Sequence, residues 1–417
     1  MEFAVNPTQL DPIAPGERIA TLDVLRGFAL GGILLMNMES FVGPVFQANT
    51  GLDPALTGAD RIADGLVYFL VQGKFFTLFS LLFGMGFAMM VQRAEAAGRP
   101  FAGLYWRRSL ALLGIGLAHS LLIWSGDILV PYALLAIPLL AFRDVPARWL
   151  AWLGVACYLA APAMLLGLGL LSLWVPGWDA FMAQAGKEMT EVAEAQRQAY
   201  ASGGYAMAVA QRVRDFGLML SNLMVFGVMI FGMFLLGAAF TRSRAIQRPE
   251  LYPRLYPWLR WAVLPLGLVL MAVSFRIASS FSLTVFDLRT GLAQALGAVA
   301  AAMMCLGYLA WVMRGLEVPA VARWLELLAP AGRMALSNYL VQSIVCTLVF
   351  YGYGLGFFEH LPRFWQVPFA LGLFAIQVMY SQWWMARFRF GPAEWLWRSL
   401  TYWKLQPLRL PVAPALP

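Results

Sequence analysis

Charge is what this 417-residue chain has least of: 12% of its residues are charged, whereas 61% are hydrophobic. A water-surrounded domain carries roughly a quarter charged residues, so no single soluble core hides this much apolar surface and lipid must solvate part of it. Cysteine is scarce as well. Cys157, Cys305 and Cys346 sit inside apolar runs with no metal-type spacing, which excludes a disulfide framework and leaves small packed hydrophobes; no metal is expected. The formal charge of +8 comes from Lys and Arg in short clusters between apolar runs, with no continuous basic face. That pattern is membrane topology and argues against a nucleic-acid partner. The first twenty residues, MEFAVNPTQLDPIAPGERIA, lack a charged start followed by an apolar core. No cleavable signal peptide is expected, so the first span must serve as its own insertion signal.

Long apolar runs are what the chain has in quantity. Crossing about 30 Å of hydrocarbon takes ~20 helical residues. Runs near 22–43, 65–91, 105–124, 128–142, 148–172, 217–240, 258–280, 290–313, 333–353 and 365–386 predict an all-α polytopic membrane protein of about ten transmembrane helices. Ser125-Gly126-Asp127 predicts a tight turn between the third and fourth. Residues 1–21 read as a cytoplasmic segment, 22–172 as an N-terminal bundle of spans one to five, and 217–386 as a C-terminal bundle of spans six to ten. Between the bundles, the polar, acidic stretch 173–216 predicts a periplasmic loop of one or two short helices. Arginine clusters at 93–108, 242–260 and 387–409 place both termini inside, in a bacterial inner membrane. The tail 387–417 is too polar to span, and Trp395, Trp397, Tyr402 and Trp403 beside Arg398 and Lys404 suit an interfacial helix. Glu394 and Arg398 stand at i,i+4, the spacing of a modest surface pair.

Polar residues at depth are costly in lipid unless they face a partner or a cavity. Asn37 lies eleven residues past Arg26 and His119 eleven past Arg108, about 16 Å deeper in each helix. Asp127 follows at the outer end of the third span, and Lys74 enters the second span from that side. Asn338 and Gln342 share a face of span nine above Arg333; bridging a neighbouring helix is their bland reading. Terminal arginines are ordinarily topology markers, and Lys74 can snorkel outward. His119 is too central to snorkel and titrates near neutrality; His360 falls in an outer loop.

The segments LDVLRGFALGGILLMN, KFFTLFSLLFGMG, AHSLLIWSGDILVPYALL, GRMALSNYLVQS and FGPAEWLWRSLTYWK together resemble the YeiB-like membrane family, whose C-terminal half is a catalogued domain of unknown function. The resemblance runs over roughly 18–409. In its N-terminal half this family is similar to the transmembrane acyltransferase superfamily, whose members move an acyl group from cytoplasmic acyl-CoA to an acceptor. Acyltransferase-3 enzymes carry an Arg, ten residues and a catalytic His in the first span. Arg26 matches the Arg, but Asn37 stands at the His position. The heparan glucosaminide acetyltransferase has Asn there and a His in the following loop, and that loop has no His here. Neither family histidine carries over.

Three expectations follow. As an acyltransferase, the chain would hold acyl-CoA on Arg26, Arg107, Arg108 and Arg333. His119 would be the base or acyl carrier, with Asp127 or Asn37 orienting it and Asn37 on the thioester oxygen. Lys74, Asn338 and Gln342 would meet a small-molecule, glycan or lipid acceptor. As a transporter or flippase, Lys74, His119 and Asp127 would form a midplane relay. As a non-catalytic scaffold, the embedded charges would have no evident use. Homo-oligomerisation is left open by the sequence.

Overall fold

In lipid a spanning backbone satisfies its own hydrogen bonds as a helix or a closed barrel. The computed structural model describes residues 20–48 and 50–410, and over these it is helical, with only two isolated β-bridges, Gly51 to Ser280 and Phe388 to Arg409. In chain order the helices are α1 (Ala20–Val42), α2 (Gly58–Leu70), α3 (Lys74–Ala96), α4 (Ala102–Leu122), α5 (Leu129–Leu139), α6 (Ala147–Leu171), α7 (Trp178–Arg197) and α8 (Tyr205–Arg242). They continue as α9 (Leu255–Trp258), α10 (Leu264–Ile277), α11 (Leu288–Leu316), α12 (Pro319–Leu325), α13 (Ala329–Arg333), α14 (Ala335–Phe350), α15 (Arg363–Met385) and α16 (Pro392–Tyr402). The reading of residues 1–19 lies outside the described residues.

Among the described residues, seven helices are long and apolar enough to cross a membrane, and eight if one bent pair counts as a span. The multi-pass, all-helical expectation holds, but the ten runs are not equivalent. Leu129–Phe142 covers only about 20 Å at 1.5 Å per residue, so with α4 it makes a hairpin whose second arm stops short of a full crossing. The ninth run is the bent pair: Pro319–Arg333 meets Ala335–Phe350 at 80°. The break falls at Met334, whose ψ of 28° is not helical.

Small residues set the close crossings. α8 packs on both α3 and α6. A methyl on Gly84 would overlap the Phe234 carbonyl, and one on Gly237 the Leu81 carbonyl, so α3 and α8 meet backbone to backbone. The windows of α1 and α2–α3 are 61% buried and those of α6, α10 and α15 only 28%, which makes the former central and the latter a rim. Trp152, Trp174 and Trp261 in or beside those rim helices point outward, as lipid-facing side chains do.

Two readings change. The helix expected within 173–216 is α7, but the stretch ends sooner, because residues from 205 onward already belong to the 38-residue α8. The paired Gly203 and Gly204 break the helix before α8, which then runs unbroken to Arg242. Arg212, expected in that loop, is buried, donating to the Leu122 carbonyl and the Tyr353 hydroxyl at 2.8 Å each. In the tail, Glu394 and Arg398 are not a surface pair. Glu394 turns inward to the start of α14, and Arg398 lies 4.7 Å over the Phe390 ring.

Candidate functional site

Helix ends rich in arginine converge on one cavity. α1 brings Arg26, α3 Arg93, α4 Arg108, the α13–α14 break Arg333, and α16 Arg398; all line a chamber of about 250 Å³. Away from these ends its walls are apolar, with Ile33, Phe83, Leu112 and Tyr132 among them. Arg26 pairs with Asp23 at 3.0 Å. Arg108 stacks 3.6 Å from the Trp397 ring centroid, and Trp397 Nε1 donates to the Arg108 carbonyl, fastening α16 over α4. Glu394 supplies the chamber's other carboxylate besides Asp23. It accepts from the Leu336 and Ser337 amides at 2.7 and 3.1 Å and from the Ser337 hydroxyl, so it sits at the positive end of α14. Burial pushes its carboxyl above the usual range, and these hydrogen bonds offset part of that rise.

The opposite ends of α1, α3 and the α4–α5 turn enclose a second chamber, of about 630 Å³. Asn37, Lys74, Trp124, Asp127, Asn222 and Gln294 line it within a largely apolar wall. Lys74 is 1% exposed and its Nζ donates to the Tyr68 carbonyl at 2.9 Å.

The two chambers share three wall residues, Ile33, Ile128 and Tyr339. Against that wall sits a buried pair: His119 Nδ1 donates to Asp127 Oδ1 at 2.7 Å, with both side chains fully buried. A carboxylate only accepts, so the proton is on Nδ1. Asp127 Oδ2 takes the Val130 amide at 2.7 Å, which holds the first turn of α5. His119 Nε2 has no partner among the described residues, and the Tyr339 ring lies 5.2 Å from the imidazole.

Of the residues expected at a site, Arg26, Arg108 and Arg333 reach the arginine chamber, and Asn37, Lys74 and Asp127 reach the second. His119 lines neither. It stands behind Asp127 because it falls in the last turn of α4, one turn before the chain reverses. Arg107 also lines neither and bonds back to the Gly103 carbonyl. Asn338 and Gln342 serve helix contact instead: Asn338 Nδ2 donates to Ser381 Oγ, and Gln342 Nε2 to Gln377 Oε1, each at 2.9 Å and buried. They point at α15 and lie on neither chamber wall. Tyr339, Trp124 and Glu394 went unnoticed as site residues. Tyr339 lies between the noted Asn338 and Gln342, one helical position onto another face, and only tertiary packing distinguishes those faces.

Residues 240–404 match the family described as "Protein of unknown function (DUF418)". The chain is 34% identical to the uncharacterized protein YxaH of Bacillus subtilis, over 96% of this chain and 98% of that one. It is 32% identical to the uncharacterized protein YeiB of Escherichia coli, over 92% and 96% respectively.

Proposed function

Because the chain belongs to the DUF418 family of YeiB-like membrane proteins, we propose that it is a membrane-embedded acyltransferase working across the wall between its two chambers. The observation carrying this reading is the buried Asp127–His119 pair at that wall, with an arginine-lined cavity on its other side. The arginine chamber would open to the cytoplasm of a bacterial inner membrane, as the clusters at its rim require. Its guanidiniums would hold the phosphates of an acyl-CoA, and its apolar shaft the acyl-pantetheine arm.

The roles then differ from those in the sequence reading. Asp127 borders the acceptor chamber and acts as base, while His119 is a positioning residue that orients its carboxylate. Tyr339, which borders both chambers, donates from its hydroxyl to the thioester oxygen as charge develops there. The acceptor oxygen or nitrogen attacks the carbonyl carbon, the C–S bond breaks, and the proton taken by Asp127 passes to the departing thiolate. Turnover of acyl-CoA by purified protein tests this. Asp127→Asn should lose at least 100-fold in kcat, Tyr339→Phe about 10-fold or more, and His119→Ala should shift the pH profile as well as the rate. Full turnover by Asp127→Asn would remove the mechanism.

The 80° break at Met334, beside Arg333, favours a second reading, transport of an anionic or lipidic substrate, because broken helices aim their termini at such cargo. Uptake of labelled substrate into proteoliposomes without any acyl donor separates the two.

A further inference from the structure

We propose that the second chamber binds an amphiphilic anion, its phosphate or carboxylate seated on Lys74 and Trp124 and its apolar part along α8 and α10. The assignment rests on reading that chamber as the acceptor site, and it names the acceptor's class.

Two polar groups on the chamber wall lack what they need. The Lys74 ammonium is 1% exposed, donates only to the Tyr68 carbonyl and approaches the Met271 sulfur at 3.9 Å. Among the described residues no carboxylate forms an ion pair with it. Asp127, the one acidic residue of the chamber wall among the described residues, is committed to His119 and Val130. Trp124 is also 1% exposed, and among the described residues its Nε1 donor has no partner. A buried cation without a counter-charge and a buried donor without an acceptor are both unfavourable unless a ligand completes them. What completes them must be negative and rich in acceptors. Much of the remaining wall is apolar, with Phe226 and Met229 from α8 and Met271 and Phe275 from α10, a surface suited to hydrocarbon on the same ligand.

Native mass spectrometry in a neutral maltoside detergent, with decyl phosphate, decanol and inorganic phosphate as probes, tests this. The wild type should bind decyl phosphate at least 10-fold more tightly than either other probe. Lys74→Gln should weaken that binding at least 10-fold, and Trp124→Phe, which removes only the N–H, about 3-fold. Arg108→Gln, in the other chamber, should leave the Lys74-dependent component intact. Without ligand, Lys74→Met should unfold at the wild-type temperature or higher, which a structural ammonium would not permit. Equal binding of decanol, equal binding of inorganic phosphate, or undiminished binding by Lys74→Gln and Trp124→Phe overturns the assignment. Asp127→Asn separates the two claims: it should retain decyl phosphate while losing acyl transfer.

Discussion

Asn338 Nδ2 bonds to Ser381 and to the Ala331 carbonyl, and Gln377 Nε2 returns a bond to the Asn338 carbonyl. Replacing it by Ala removes interhelical bonds that in membranes are worth about 0.6–1.7 kcal/mol. We expect Asn338→Ala to lower the unfolding temperature in detergent while kcat/KM for acyl-CoA stays within about 2-fold. Asn37→Ala should do the reverse, because Asn37 lines the second chamber. The two amides look alike in the sequence, since each is a polar residue on an apolar helix. One is buried against α15 by a partner 43 residues on, and the other lines a cavity whose wall reaches as far along the chain as Tyr339.

At the scale of elements, the α1–α13 crossing depends on backbone contact. A methyl on Gly332 would overlap the Asp23 carbonyl, and one on Gly27 the Leu328 carbonyl. Gly332→Ala should therefore cost about 1–3 kcal/mol or more and displace Arg333 from the chamber. Gly103→Ala, on an open face of α4, should be neutral or stabilising by up to about 1 kcal/mol. Chemical denaturation of both variants checks the contrast. Helix α16 makes a pH prediction. The Glu394 carboxyl is raised by burial, so its contribution to stability is full at low pH and is lost as pH rises through the raised value. Glu394→Gln keeps an acceptor for Ser337 but does not titrate there. Its unfolding temperature should gain on wild type as pH climbs from about 4 to 8, and a constant difference would refute the burial argument.

For the molecule as a whole, five arginines around one chamber should make donor binding electrostatic. Raising ionic strength from about 0.05 to 0.5 M should raise the KM for acyl-CoA several-fold with little change in kcat, because salt screens exposed charges while chemistry at the buried Asp127 is shielded. Combining Arg108→Gln with Arg333→Gln should flatten that salt dependence; steady-state kinetics across ionic strengths measures both.

Composition and run length determined the environment, the helical class and the presence of many passes, since a backbone in lipid has few ways to satisfy itself. Periodicity along α1 also placed Arg26 and Asn37 at different depths, and they do line different chambers. What only the tertiary structure decided was facing. His119 and Asp127 are eight residues apart across a turn, and the turn's path pairs their side chains in the interior while only Asp127 borders the second chamber. Likewise, Asn338 turned to α15 and Glu394 to the α14 terminus because side-chain direction depends on which neighbour packs where, a long-range fact that local spacing does not carry.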